Sequence, residues 1–383
     1  MGAPIVVIGA GPVGLCLALR IAQSGAAVLV LEKRAGLSKA SKASTFHPPT
    51  LEILNALGVW DESGRQGQVV SRVQFRDSAA GVAAEFDLAL LADETQFPFR
   101  LHLEQAGLTP ILLAALERHP LAQVRFGAEA AGLTQHPDGV QVRLASGDVV
   151  EAALVVGADG AHSAVRDWIS AAFEGADYPS RVLRLMTRAP LDVLCPGAAP
   201  LTYLFSGAES CSFLKMSDCW RIILRAPAAL SDAVVLSRDW WGKMLPLFFD
   251  CPLERLEPIE ADVFTVGKRV AQRYHDGRVF IVGDAAHITN TRGGMNMNCG
   301  IHDAWALGER LARVWRGEAE LALAQACADA RRAVALEQLI PRTDRSVIGG
   351  GAWLEQVRAL AADETASRAY LLETSMLDMA ERP

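Results

Sequence analysis

The chain is poor in the features that would place it outside an ordinary reducing cell interior. Its seven cysteines, Cys16, Cys195, Cys211, Cys219, Cys251, Cys299 and Cys327, are odd in number and form no CxxC pair among 383 residues. Neither a disulfide framework nor a zinc site is expected, no metal is expected, and a cytoplasmic location fits. Positive charge is not in excess either. The formal net charge of −7 argues against a general nucleic-acid binder and against a protein of anionic membranes. Although 51% of the residues are hydrophobic, no uninterrupted apolar run is long enough to cross a bilayer. The apolar N-terminal stretch has no basic segment before it, and glycine interrupts it within a few residues, so it reads as a strand rather than a signal peptide. Short internal repeats are lacking too. A chain of this length and apolar content has material for two or three domains or one large composite one. Its quaternary state is expected to be a monomer or a homodimer.

Glycine punctuates three apolar strands. Pro4 to Ile8 ends in Gly9-Ala10-Gly11-Pro12-Val13-Gly14, a helical stretch runs to Gln23, and Val28 to Leu31 leads into Glu32. This is a dinucleotide fingerprint in its βαβ context. Gly9 permits the tight turn, Gly11 leaves room for a pyrophosphate, and Gly14 lets helix and strand pack closely. The helix N-terminus offers N–H groups and a positive dipole end. Glu32, followed by Lys33, is placed to accept hydrogen bonds from a ribose diol, and its charge disfavours a 2′-phosphate. The fingerprint by itself does not separate FAD from NAD.

A second strand ends at Gly157-Ala158-Asp159-Gly160, and a third ends at Gly283-Asp284-Ala285-Ala286-His287. Carboxylates at such strand ends suit the hydroxyls of a ligand, although a turn former or helix cap is the plainer role of each alone. Between these motifs the period changes. Val69 to Phe75, Val82 to Leu88, Leu201 to Phe205, Ser212 to Met216 and Trp220 to Arg225 read as antiparallel strands, whereas Glu104 to His119 and Asn298 to Trp315 read as helices. The expected fold is α/β: a Rossmann-like dinucleotide-binding domain with an inserted antiparallel β-sheet substrate domain and a helical C-terminus. The expected boundaries are 1–68, 100–178 and 263–340 for the discontinuous dinucleotide-binding domain, 69–99 and 179–262 for the β-rich substrate domain, and 341–383 for the helical segment.

With the three motifs in this order and spacing, the chain resembles the single-component class A flavoprotein monooxygenases. These are aromatic-ring hydroxylases of the para-hydroxybenzoate hydroxylase fold, and the likeness is nearest to the hydroxyphenylpropionate hydroxylase-like branch. It covers nearly the whole chain. The resemblance implies FAD held by Gly9, Gly11, Gly14, Glu32 and Lys33, with Lys42 supplying charge where the family usually has an arginine. It implies further FAD contacts from Gln105, from Asp159, from Asp284 on the ribityl chain, and from Gly294, Met297 and Asn298 beside the flavin ring. Asp159 and Arg166 are the implied contacts of NADPH or NADH, a transient electron donor. The implied reaction passes through a flavin C4a-hydroperoxide, which transfers one oxygen atom of O2 to a small aromatic, phenolic or similar substrate.

Tyr203, Phe205, Phe213, Met216 and Trp220 are candidates to line the substrate pocket. His47, His102 and Tyr203 are candidates for a catalytic role on a phenol. Where the family commonly has proline and glycine, this chain has Thr291 and Asn296, and Arg292 adds a charge between them. The alternative reading is an FAD-dependent reductase or oxidase that inserts no oxygen.

Overall fold

The architecture comes from a computed structural model that describes residues 2–40, 43–345 and 351–383. The expectation for Lys42 lies outside these residues. Apolar runs buried on both faces form a six-stranded sheet. Its order is His275–Asp276, Val279–Ile281, Leu154–Gly157, Ile5–Ile8, Val28–Glu32 and Ala122–Phe126. Every neighbouring pair is parallel except that of the edge strand His275–Asp276. The three strands that carry the glycine motifs therefore lie side by side, with Val155 paired to both Val6 and Val279. All three motifs leave the sheet at its carboxyl edge, where open α/β sheets bind ligands.

Two helices cross against one another over this edge. Pro12–Gln23 follows the first motif, and Met295–Trp315 follows the third. They approach closely because Gly300 lacks a side chain: a Cβ there would stand 2.8 Å from the Cα of Gly283 and 2.9 Å from Val13. Arg20 fastens the far end by lying over Trp305, 3.8 Å from the ring centre, and by pairing with Glu309 at 2.7 Å.

The second sheet has eight strands, ordered His287–Ile288, Glu260–Ala271, Phe173–Thr187, Trp220–Pro227, Glu209–Lys215, Leu201–Ser206, Arg72–Asp77 and Gly81–Asp87. The early hairpin joins it through parallel pairing of Leu201–Phe205 with Val73–Asp77. Phe173–Thr187 and Glu260–Ala271 are long strands that reach from the insert into the nucleotide-binding frame. Their alternation is obscured by Glu174, Asp177, Arg181 and Arg184, which is why sequence reading left them unassigned. One face of the sheet packs Phe213, Trp220, Ile222 and Leu224 against Trp241 and Phe249. The other packs Phe75 and Phe205 toward Leu354 and Leu371 of the C-terminal helices Gly351–Ala361 and Glu364–Thr374. Among the described residues no helix is long and apolar enough to cross a membrane.

Candidate functional site

The first turn is held by its own packing at two glycines and not at the third. Gly9 has φ +111°, and a Cβ there would collide with the carbonyl oxygen of Ala158 in the second motif. A Cβ on Gly14 would strike the carbonyl oxygen of Gly9. Gly11 is different. It has the ordinary extended values φ −77° and ψ 176°, and a Cβ there would meet nothing within 4 Å. Neither backbone strain nor protein packing requires glycine at 11. The space above it opens onto a helix N-terminus with no side-chain cap, the arrangement that receives a phosphate. Glu32, almost fully buried, accepts from the Ala10 N–H at 2.9 Å and the Arg34 N–H at 3.0 Å, which fixes its carboxylate beside the turn. Lys33 is exposed at the end of the strand.

In the second motif Asp159 is occupied locally. It accepts from the Ser163 hydroxyl at 2.5 Å and from the Val165 N–H at 3.2 Å, so it orders the start of the short helix Ala164–Trp168. Arg166 is buried over the Phe173 ring and donates to the carbonyls of Ala161 and Ala285. Its guanidinium thus bolts the second motif to the third rather than standing open to a passing dinucleotide.

The third motif carries the most connected part of the site. Asp284 is exposed at the strand end and accepts from the Asn296 amide nitrogen at 2.8 Å. The amide oxygen of Asn296 faces Nδ1 of His287 at 3.1 Å, and Nε2 of His287 meets Asp303 at 2.8 Å. Arg331 closes the chain with its Nε 2.7 Å from the other oxygen of Asp303. Burial alone would keep His287 neutral, but Cys299 and Asp303 beside it outweigh that and hold its pKa well above the ordinary histidine value. Asp303 is pulled down to about 2: its burial acts the other way and is overcome by Arg331 and His287. With both ring nitrogens protonated, Nδ1–H donates to Asn296 and so turns the amide nitrogen toward Asp284. The ligand atoms of His287, Cys299 and Asp303 lie within 4.8 Å of one another, and the Arg331 guanidinium already supplies the positive charge there, with Nη2 3.5 Å from the Cys299 sulfur.

Asn296, the departure from the family's glycine, lies in the first turn of Met295–Trp315 with ordinary helical backbone. Position 296 therefore has no backbone requirement for glycine. The left-handed positions are Gly293, φ +77°, and Gly294, φ +66°, which turn the chain and start the helix three residues earlier than expected. Asn298 is fully buried. It donates to the carbonyls of Thr45 and Gly294 and accepts from the His47 N–H, so it ties this turn to the strand Thr45–Phe46 instead of reaching outward. Met297 is buried beside it, and the Gln105 N–H bonds Ala43, so Gln105 opens its helix next to the same strand.

Both candidate histidines are buried and committed to carbonyls. His47 donates from Nε2 to Gly293 at 2.6 Å, and His102 donates from Nδ1 to Lys215 at 2.9 Å. Burial, followed by the charge of Arg100, holds His47 well below the ordinary value, and burial takes His102 down to about 4. Neutral rings with such low basicity brace the backbone around the site.

The pocket candidates divide between the two faces of the inserted sheet. Tyr203 and Phe205 line a small cavity of about 10 Å³ between that sheet and the Thr291–Gly294 turn. Phe213 and Trp220 face the other way and pack edge to face at 5.7 Å in a separate core, because alternation sends them to the side covered by Trp241 and Phe249. Met216 is buried at the end of its strand and does not line the cavity. Sequence reading missed Asp303, Arg331 and Arg225. Asp303 is signalled only as a polar residue, beside His302, in a helix whose neighbours are apolar, and nothing local signals Arg331.

A family model described as FAD binding domain matches residues 2–342. The chain is 30% identical over 377 residues to 6-hydroxy-3-succinoylpyridine 3-monooxygenase HspB of Pseudomonas putida, covering 94% of each. Its fold superposes on the crystal structure of p-nitrophenol 4-monooxygenase PnpA from Pseudomonas putida with a TM-score of 0.91, at 25% identity, over 100% of this chain and 99% of that one. A ternary complex of aklavinone-11 hydroxylase with FAD and aklavinone matches with a TM-score of 0.78, at 28% identity, over 89% of this chain and 68% of that one.

Proposed function

Because the chain belongs to the FAD binding domain family and is a flavoprotein monooxygenase of the aromatic-hydroxylase kind, we propose that it hydroxylates a small aromatic compound with O2 and electrons from NADH or NADPH. The observation that carries the cofactor assignment is Gly11: its missing side chain is explained by nothing in the protein and by everything a pyrophosphate needs. The residues present fit FAD. The uncapped helix N-terminus and Gly11 would take the phosphates, Glu32 the adenosine ribose, and Asp284 the ribityl hydroxyls. The backbone of Gly293 and Gly294 would run beside the ring. FAD, when bound, supplies the redox chemistry by accepting two electrons from NAD(P)H and activating O2.

The chain's own residues do the rest. The N–H groups at the start of Met295–Trp315 offer positive potential to a negatively charged ring. His47 holds the Gly293 carbonyl in place, and Asn298 holds Gly294 and Thr45. Tyr203 and Phe205 present the wall against which an aromatic ring would lie. Asn296, held by protonated His287, keeps Asp284 in one rotamer. Asn296→Gly, which restores the usual family residue, should weaken FAD binding by about 0.5–1.5 kcal/mol, the worth of one such hydrogen bond. Titration of apoprotein with FAD, followed by fluorescence, reads this directly, and an unchanged Kd would remove Asn296 from the site.

The reading is tested on the purified protein. Denaturation should release one FAD per chain, and NAD(P)H oxidation should accelerate when hydroxylated aromatic compounds are added. A colourless protein that takes up no FAD would overturn the cofactor assignment. NAD(P)H oxidation indifferent to every aromatic compound would favour a reductase or oxidase.

A further inference from the structure

Sulfur is concentrated behind the Gly293–Gly294 turn. Met295 opens the long helix, Cys299 follows about one helical turn later, and both pack with Met376, Met379 and Leu339 in one small cluster, each of them at most 5% exposed. Met295 lies directly behind the turn. A Cβ on Gly293 would stand 3.2 Å from its Cε and 3.9 Å from its Sδ, so glycine leaves no side chain to screen this thioether from the turn. Met376 reaches the cluster from the C-terminal segment at φ +64°, a backbone that favours glycine or asparagine, yet its side chain is fully buried here. Nη1 of Arg342 lies 3.4 Å from the sulfur of Met379, and Nη2 of Arg331 lies 3.5 Å from that of Cys299. Two buried guanidinium groups therefore stand where they would donate to an oxygen added at sulfur. Leucine would fill the same space, but only a thioether or a thiol takes up oxygen. Met244 offers a comparison within the same chain. It is half-buried in the separate core on the far face of the inserted sheet.

We propose that Met295 is a site of oxidative modification, where the thioether takes one oxygen atom from hydrogen peroxide released on the other side of the turn, and that the sulfoxide weakens the hold on FAD. The inference rests on the reading above, which supplies the peroxide. When no aromatic compound accepts oxygen, the overall balance is NAD(P)H + O2 + H+ → NAD(P)+ + H2O2. At the sulfur, the O–O bond of the peroxide breaks and an S–O bond forms. The second oxygen leaves as water with both hydrogens, and the sulfur is oxidised by two electrons. The resulting side chain is polar, and an apolar cluster holds it at a cost. The first turn of Met295–Trp315 and the glycines before it would shift to relieve that cost. Position rather than exposure then selects the methionine that reacts. Peroxide in bulk solution should find Met244 first, whereas peroxide formed beside the turn should find Met295.

The experiment runs the FAD-loaded enzyme with NAD(P)H in air, without any aromatic compound, with and without catalase, which removes peroxide from bulk solution only. A parallel sample receives hydrogen peroxide and no NAD(P)H. Peptide mass spectrometry then locates the sulfoxides. Turnover should leave at least about five-fold more sulfoxide at Met295 than at Met244, catalase should not prevent it, and added peroxide should reverse the order. The FAD Kd of the protein oxidised by turnover should rise about ten-fold. Met295→Leu, close in volume, should keep its FAD through the same turnover. A chain that takes up O2 with NAD(P)H yet keeps Met295 as the thioether, or whose Met295 sulfoxide disappears when catalase is present, overturns this inference and leaves the hydroxylase reading standing. An FAD Kd unmoved by the sulfoxide, or a Met295→Leu protein that loses FAD as fast as the parent, does the same. A chain that takes up no O2 with NAD(P)H overturns both.

Discussion

Gly11→Val is expected to give a protein that folds and melts like the parent yet has lost FAD. The backbone at 11 lies in a region that any residue adopts, and a Cβ there meets no atom within 4 Å, so the apoprotein is expected to keep its stability. That space is the one into which a pyrophosphate must come, against the first N–H groups of Pro12–Gln23. Filling it should weaken FAD binding by at least about 100-fold, roughly 2.7 kcal/mol. Gly14→Ala should fail in the opposite manner. Its Cβ would strike the Gly9 carbonyl, so the damage should appear in the folding of the apoprotein itself. Thermal melts and FAD titrations of the two variants separate steric exclusion of a ligand from loss of packing. A Gly11→Val protein that binds FAD normally would contradict the assignment of this turn.

Asp303→Asn is expected to be the most destabilising single change near the site. Asp303 is fully buried between His287 and Arg331, and its removal leaves two cationic side chains facing each other without an anion. Breaking a buried pair in this way costs about 3–5 kcal/mol. The pH dependence follows from linkage. In the parent, His287 is raised, so its contribution is complete below the unfolded value of about 6.5 and is lost as pH rises through the folded value. Asp303 is lowered to about 2, so its contribution is complete above the unfolded value of about 3.9 and fails only in strong acid. In the variant, His287 next to Arg331 is lowered instead, and folding is penalised below about pH 6.5. The difference between parent and variant should therefore grow toward acid, by up to about 1.4 kcal/mol per pH unit, between about pH 8 and about pH 5.5. Urea melts at those two values measure it. A difference below about 1 kcal/mol, or one that grows toward alkali, would contradict the charge assignment.

The parts of this site legible in the sequence are those with local signatures. Gly9, Gly11, Gly14 and Glu32 sit in one βαβ unit, where spacing fixes position. The strand ends at Asp159 and Asp284 are announced by apolar runs stopped by glycine. The connections made by tertiary contact are not legible. Asn296 spans Asp284 and His287, and Arg331 reaches Asp303 from a helix 28 residues later in the chain. No periodicity records such contacts. The aromatic candidates show the same limit. Alternation groups Phe213 with its own face, but only the cover of Trp241 and Phe249 tells that this face is turned from the cavity. His47 and His102 lie near the cofactor segments, as their sequence positions suggest, yet burial leaves both neutral and bonded to carbonyls.

The central claim is that one oxygen atom of O2 enters an aromatic compound on this protein. It is tested most directly by running the FAD-loaded enzyme with NAD(P)H under 18O2, over a panel of phenols with and without carboxylate side groups, and by weighing the products. The account predicts a product carrying one 18O atom and NAD(P)H consumption that rises with its formation. Full FAD occupancy with NAD(P)H oxidised, only hydrogen peroxide produced and no 18O in any aromatic product across the panel would contradict it.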